Sequence, residues 1–145
     1  MSEKESLISA TEAEIKEIFT QTKTIAIIGL SPKADKDSNK VARYLQKAGY
    51  KIIPVYPKGE EILGEKVYRT LDEIDERIDM VDIFKKPEFI ANIVDGILLR
   101  DDVKCIWTQL DLINNEAAQK AKDAGIKVVQ DRCTKIDHQR MFPFS

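Results

Sequence analysis

Short apolar runs alternate with amphipathic segments along the chain, and glycine, proline or polar residues separate them. Runs rich in β-branched residues predict five strands, at residues 24–28, 51–55, 80–84, 103–108 and 126–130. Apolar positions at helical spacing predict helices at residues 12–21, 38–48, 87–98 and 115–124. Strands that alternate with helices in this way favour right-handed βαβ units and a parallel sheet.

This alternation predicts an α/β fold, a doubly wound parallel sheet of about five strands with helices on both faces. If the first two crossovers wind one way and the later ones the other, the strand order is 3-2-1-4-5. The switch point then lies between strands one and four. Residues 29–33 and 108–110 would face each other across the crevice there, which is where open α/β sheets bind ligands.

The stretch after the first strand, Gly29-Leu30-Ser31-Pro32-Lys33, is the candidate binding element. Gly29 ends the buried strand, and we expect Ser38 to be the N-cap of the following helix. The amino terminus of a helix offers unpaired N–H groups and partial positive charge to anions. We therefore expect this turn to hold the phosphates of a nucleotide-like ligand.

Composition excludes several broad classes of protein. The 145 residues match one domain over residues 1–145, in which we distinguish an amino-terminal helical segment, 1–22, and a carboxy-terminal extension, 131–145. Hydrophobic residues at 43% and charged residues at 33% are typical of a folded globular chain. The 23 basic and 25 acidic residues form no Lys/Arg block, which disfavours nucleic-acid binding.

Other features bear on where the protein acts. No apolar run approaches the roughly 20 residues that cross a bilayer, and residues 1–9 do not resemble a secretion signal. Cys105 and Cys133 are too few for a disulfide framework. We expect a cytoplasmic protein that does not bind membranes.

The end of the second strand narrows the choice of ligand. A dinucleotide fingerprint needs G-x-G-x-x-G after strand one and an acidic residue ending strand two. This chain has the single glycine Gly29, and strand two runs into Val55-Tyr56-Pro57-Lys58, which argues against NAD. Lys58 places positive charge where an additional ribose phosphate would lie, as in NADP or coenzyme A. The missing glycines weaken NADP, because the pyrophosphate needs them for close approach.

An ordered set of segments resembles small bacterial CoA-binding proteins, which are stand-alone relatives of the nucleotide-binding domain of the succinyl-CoA synthetase α subunit. The resemblance covers about residues 20 to 140 and is carried by residues 29–33, Ser38, and segments 53–58, 62–68, 81–88, 107–110 and 131–138. Tyr56 departs from the pattern, because relatives often have Asn there.

The resemblance implies a Rossmann-like fold with coenzyme A or an acyl-CoA over the carboxyl ends of the strands. Backbone N–H groups of Gly29, Leu30 and Ser31 would meet the pyrophosphate, helped by the Ser31 hydroxyl. The remaining implied contacts lie around them: Lys33 and Ser38 near the pyrophosphate, Pro57 and Lys58 beside the adenosine and its 3′-phosphate, and Phe84, Lys85 and Pro87 on the adenine or pantetheine side. Gln109, at the end of strand four, is a further candidate contact.

The polar tail invites a catalytic interpretation, in which Cys133 and His138 form a nucleophile and base. Their offset of five residues does not place them on one helical face, and one histidine with two separated cysteines does not supply a metal site. His138 also lacks the glycine-rich surroundings of a phosphorylated histidine loop.

We therefore predict a CoA-binding protein without evident catalysis of its own, acting as a carrier, a sensor, or a partner of another protein or of a second copy of itself. Two alternatives stay open. One is an enzyme, either an NADP-linked oxidoreductase or a CoA-dependent transferase that uses Cys133. The other is a partner-binding regulatory domain whose crevice is vestigial.

Overall fold

The computed structural model describes residues 6–143, which form a central parallel sheet covered by helices. The strands are β1 (Thr24–Ile28), β2 (Lys51–Val55), β3 (Glu61–Ile62), β4 (Glu65–Lys66), β5 (Met80–Ile83), β6 (Cys105–Thr108) and β7 (Lys127–Val129). The helices are α1 (Glu12–Gln21), α2 (Asp37–Lys47), α3 (Ile90–Leu98), α4 (Asn115–Asp123) and α5 (Thr134–Met141). Short 3₁₀ turns occur at Leu71–Glu73 and Pro87–Phe89.

Helices cover both faces of the sheet, because successive strand residues point to opposite sides. On the first face, Ala26 and Ile28 of β1 pack in one core with residues of α3 and α4. On the second face, Ile25 and Ile27 pack in another core with residues of α1 and α2, and α5 contacts both of these helices. The predicted fold class, a Rossmann-like α/β fold with a doubly wound parallel sheet, is confirmed.

The predicted strand order is wrong in one place. The five sheet strands lie in the order β2-β1-β5-β6-β7, so the third of them along the chain, β5, pairs with β1 rather than with β2. The outer edge of β2 is already occupied, because Tyr68 N–H donates to Pro54 O at 2.9 Å and Tyr56 N–H donates to Tyr68 O at 3.0 Å. Pro54 also has no N–H for a further strand, which is typical of an edge position.

This order moves the switch point. It lies between β1 and β5, and not between strands one and four. Phe84, which follows β5, therefore faces Gly29 across the crevice, in place of residues 108–110. The N–H of Phe84 donates to Ile28 O at 2.8 Å, which joins the two strand ends.

Some element boundaries also differ from the predictions. Helix α2 begins at Asp37 with Lys36 as its N-cap, so Ser38 is not the capping residue. The segment that begins at Pro87 is a 3₁₀ turn before α3 rather than the first turn of the helix, and Phe89 in it is 47% exposed. The carboxy-terminal segment forms α5, whose Thr134, Asp137 and His138 are buried. The predicted terminal segments extend beyond the described residues, at 1–5 and 144–145.

The connection between β2 and β5 contains a two-stranded hairpin, in which β3 and β4 pair antiparallel. Leu63 and Gly64 at its turn both have positive φ, at 54° and 80°, as a two-residue hairpin turn requires. Within residues 6–143, the helices lack the length and apolar content of a membrane span.

Candidate functional site

The turn after β1 is fixed by close contact with the loop after β5. Gly29 has a φ of +87°, and a Cβ at this position would lie 2.5 Å from the carbonyl oxygen of Phe84. Glycine reaches this left-handed conformation without strain and has no Cβ to clash. The two walls of the switch-point crevice therefore meet at a position where only glycine fits.

Side chains from the start of α2 hold the turn in shape. Ser31 N–H donates to Ser38 Oγ at 3.0 Å, and Asn39 Nδ2 donates to Ser31 O at 2.8 Å. Ser31 Oγ in turn accepts from Lys33 N–H at 3.1 Å. Ser38 thus stabilises the turn instead of capping the helix.

These bonds change which groups are left for an anion. The N–H of Gly29 donates to Val55 O at 2.9 Å and that of Ser31 donates to Ser38, so both are already used within the fold. Within the described chain, the N–H groups of Leu30 and of the first turn of α2, at Asp37, Ser38 and Asn39, have no acceptor. The side chain of Leu30 is itself fully buried in the second-face core.

Asn39 adds a further feature beside the turn. Its side chain is 2% exposed, and while Nδ2 is bonded to Ser31, Oδ1 has no hydrogen-bond partner in the described part of the protein. Leaving a buried acceptor without a donor costs about 1–3 kcal/mol. Asn39 could not be predicted from local sequence, since its contact with Ser31 depends on the path of the intervening loop.

Three lysines follow the carboxyl ends of three neighbouring strands. Lys58 follows β2, Lys33 follows β1 and Lys85 follows β5, and these strands are adjacent in the sheet. Neighbouring strands lie about 4.8 Å apart, so the three loops stand side by side. The ion pairs of residues 6–143 include none of these lysines, although Lys85 Nζ lies 6.0 Å from the centre of the Phe89 ring.

The loop after β2 carries Pro57 and Lys58, both exposed. Arg69 holds this loop through hydrogen bonds to the carbonyl oxygens of Tyr56 and Gly59. Beside it a cavity of about 610 Å³ opens along the first face. Its lining includes Ile28 and Val55, the last residues of β1 and β2, together with Arg69 and Thr70.

Tyr56 and Phe84 both point away from that cavity. Each is only partly buried and packs against the second-face core, whereas the cavity is lined by residues of the first-face core. The ring of Tyr56 therefore does not occupy the cavity. Pro87, the other candidate beyond β5, is exposed and opens the 3₁₀ turn Pro87–Phe89.

A buried carboxyl group lies beneath this edge of the sheet. Asp82 of β5 is fully buried, and its Oδ1 accepts from Gln109 Nε2 at 2.6 Å while its Oδ2 accepts from Thr134 Oγ1 at 3.0 Å. Burial raises the pKa of Asp82 to about 7, and the two hydrogen bonds oppose that rise. The structure places no cation on either oxygen of Asp82 among the described residues.

The side chain of Gln109 is buried and hydrogen-bonded inside the protein. It is 5% exposed, and its amide nitrogen donates to both Asp82 and Thr134. Sequence reasoning missed Asp82 and Thr134, although an acid inside an apolar strand, Val81-Asp82-Ile83, is the signal that marks such a group.

Cys133 and His138 do not form a nucleophile and base. His138 Nδ1 is paired with the Tyr44 hydroxyl at 2.7 Å, and its ring packs against Phe19 and Phe142. Burial lowers the pKa of His138 and raises the pKa of the Cys133 thiol, which disfavours the thiolate. Within residues 6–143, no three His, Cys, Asp or Glu side chains cluster as a metal site would require.

Comparison with known proteins decides the family. The family model described as a CoA binding domain matches residues 23–139. The chain belongs to this CoA-binding domain family. The resemblance seen in the ordered segments is thereby confirmed, and the matched range contains every candidate ligand contact named above.

The relatives of this chain include proteins of similar length and longer enzymes. It is 41% identical over 128 residues to a Bacillus subtilis protein, YneT, and this match covers 88% of the chain and 94% of YneT. It is 38% identical to a hypothetical protein of Pyrococcus horikoshii of known structure, with a TM-score of 0.88 and coverage of 98% and 99%. It is 24% identical to part of an ADP-forming acetate–CoA ligase of Archaeoglobus fulgidus, covering 77% of this chain but 18% of that enzyme.

Proposed function

We propose that this protein binds coenzyme A, free or acylated, across the carboxyl ends of β2, β1 and β5. The observation that carries the proposal is a row of three lysines, Lys58, Lys33 and Lys85, at the switch point of a CoA-binding domain; none of them forms an ion pair within residues 6–143. Coenzyme A carries a pyrophosphate and a ribose 3′-phosphate, so its negative charges are spaced along the molecule in a way that a row of cations suits.

The pyrophosphate lies at the turn after β1. Its donors are the N–H of Leu30 and the first-turn N–H groups of α2, together with the hydroxyl protons of Ser31 and Ser38. A helix amino terminus also favours negative charge through its dipole. Gly29 contributes by allowing the crevice walls to meet, and Lys33 lies on the same loop.

The two ends of the ligand extend to either side of that turn. Pro57 and Lys58 flank the adenosine and its 3′-phosphate at the β2 side, and Phe84, Lys85 and Pro87 border the ligand at the β5 side. Gln109 supports this edge from within through its bond to Asp82. We give Cys133 and His138 no catalytic role, because His138 Nδ1 is paired with the Tyr44 hydroxyl.

A panel of ligands tests the proposal. Thermal unfolding of the whole protein is measured with CoA, acetyl-CoA, NAD and NADP at matched concentrations. A ligand that binds only the folded state stabilises it by about 2.7 kcal/mol at 100 times its dissociation constant. We expect CoA and acetyl-CoA to raise the melting temperature and NAD to leave it unchanged. A shift with NADP and none with CoA would overturn the proposal in favour of the oxidoreductase alternative.

A further inference from the structure

Arg69 braces the loop that carries Lys58. Its Nη1 donates to Tyr56 O at 3.1 Å and its Nη2 donates to Gly59 O at 2.8 Å, so one guanidinium spans the residues on either side of Pro57 and Lys58. A planar fork of donors can make two such bonds at once, whereas a single ammonium group cannot.

Arg69 is itself anchored at both ends of its short segment. The preceding residue, Tyr68, is bonded to β2 through Pro54 and Tyr56. The N–H of Arg69 donates to Glu73 Oε1 at 3.0 Å, and the same carboxylate takes part in the capping box with Thr70. The position of the guanidinium is therefore determined by β2 on one side and by the 3₁₀ turn on the other.

The charge of Arg69 is not neutralised by an ion pair within the described residues. Asp72 lines the same cavity, and Glu73 bonds the backbone of Arg69 rather than its guanidinium. A guanidinium has five N–H donors, and the two bonds to carbonyl groups leave others for an oxyanion. Arg69 lines the cavity at the carboxyl ends of β1 and β2.

We infer that Arg69 determines specificity for a phosphate on the ribose of the adenine nucleotide, by holding Lys58 in place and directing its own remaining donors to the same phosphate. The inference rests on the proposed CoA binding. It gives the ligand class as adenine nucleotides that carry a ribose phosphomonoester, and it makes Arg69 a positioning residue as well as a contact.

The test compares CoA with 3′-dephospho-CoA by isothermal titration calorimetry. We expect the unchanged protein to prefer CoA by about tenfold or more, because charge-assisted bonds to a phosphate are lost with the dephospho ligand. Arg69→Gln should lose most of this preference, with weaker CoA binding and 3′-dephospho-CoA binding changed by less than about threefold. Arg69→Lys should behave like Arg69→Gln, because an ammonium does not span both carbonyl groups.

Arg77→Gln is the matched control, since Arg77 is an exposed arginine at the opposite edge of the sheet. Its preference for CoA should equal that of the unchanged protein. Combining Lys58→Ala with Arg69→Gln should give less than the product of the separate losses, since one residue holds the other.

The outcomes separate the inference from the function on which it rests. If Arg69→Gln and Arg69→Lys keep the preference for CoA, the inference is wrong and CoA binding stands. Equal losses for both ligands would assign Arg69 a purely structural role and also overturn it. Equal affinity of the unchanged protein for both ligands would refute the inference alone, and no binding of either ligand would refute the proposed function itself.

Discussion

The carboxyl ends of β2, β1 and β5 differ from the amino edge of the sheet in the ion pairing of their basic residues. At the amino edge, three of the basic residues form ion pairs: Arg77 with Asp79, Lys51 with Glu76, and Lys127 with Glu17. At the carboxyl edge, Lys33, Lys58 and Lys85 take part in none of the ion pairs found in residues 6–143. The ion pairs of the amino edge stabilise the fold, whereas we propose that the three lysines after β2, β1 and β5 are kept for a ligand.

Replacement of Gly29 should have the largest effect, because it damages the carboxyl edge and the fold together. Gly29→Ala forces a left-handed φ of +87° on alanine and drives a Cβ to 2.5 Å from Phe84 O. We expect a loss of about 3 kcal/mol or more in the free energy of unfolding, measured by urea denaturation, together with loss of CoA binding.

Gly49→Ala is its matched control. Gly49 has a φ of +105°, but a Cβ there meets nothing within 4 Å. Only the backbone strain of about 1–2 kcal/mol should remain, and CoA binding should persist. Equal destabilisation by the two substitutions would mean that the contact with Phe84 contributes nothing.

At the amino edge, Asp79→Ala should separate stability from binding. Asp79 Oδ2 accepts the N–H groups of Lys23 and Thr24, both at 3.0 Å, and these donors would lose their acceptor. We expect chemical denaturation to show a loss of about 2 kcal/mol in stability, with CoA affinity unchanged. Asp79→Asn keeps one acceptor oxygen and should lose less. If the folded Asp79→Ala protein bound CoA more weakly, the amino edge would contribute to binding as well as to stability, contrary to our expectation.

The buried carboxyl group of Asp82, near the carboxyl edge, should make the stability of the protein depend on pH. In the folded state burial raises the pKa of Asp82 from 3.8 to about 7. Between these values the folded protein holds a proton that the unfolded chain has released, so this group's contribution to stability falls as the pH rises. Asp82→Asn has a similar shape but does not titrate, so it removes that fall; its oxygen can accept from Gln109, and its amide nitrogen can donate to Thr134 Oγ1 where Asp82 accepts. From pH 5 to pH 8 the variant should gain roughly 2–3 kcal/mol relative to the unchanged protein.

The comparison is made by urea denaturation at each pH. Burial lowers the pKa of His138, and this contributes in the opposite direction, with stability lost as the pH falls. Both proteins share that effect, so it cancels in their difference. Asp101→Asn, which changes an exposed acid at the amino edge, should follow the unchanged protein. A constant difference between Asp82→Asn and the unchanged protein would show that Asp82 is already ionised at pH 5.

The smallest expected effect on the fold is that of Lys58→Ala. Lys58 is exposed and unpaired within the described chain, so stability should change by less than about 0.5 kcal/mol. CoA affinity should fall about fivefold to tenfold, and that for 3′-dephospho-CoA should fall less. Lys47→Ala, in the last turn of α2, is the control and should bind CoA normally. Equal losses for the two ligands would reject the role given to Lys58.

Local sequence patterns predict most of the helices and strands. They do not predict the strand order, because it depends on contacts between residues that are distant in sequence. The bounds of α1, β1 and β2 agree with the apolar periodicity, since each is set by residues within the segment. The position of β5 depends on Tyr68 closing the edge of β2, and Pro54 was the local sign of that edge. For this reason the third sheet strand, β5, pairs with β1 instead of lying beyond β2.

In the candidate site, too, local sequence predicts some features, and others depend on contacts between distant segments. The residue types and the order of the segments were sufficient to indicate the family, which the match over residues 23–139 shows. They did not reveal that the N–H groups of Gly29 and Ser31 are consumed by Val55 and Ser38, because those partners lie in other segments. Arg69 and Asp82 act through contacts across the fold, and no spacing in the sequence expresses them.

The contact between Gly29 and Phe84 has a consequence for the rate of binding. The two loops meet without room for a Cβ, and the Phe84 N–H bond to Ile28 O joins the strand ends beside them, so we expect the crevice to keep its shape when a ligand binds. An encounter with such a surface is complete once the partners are aligned. For the proposed ligand, coenzyme A, we expect a rate of association governed by diffusion and by the attraction of the lysine row.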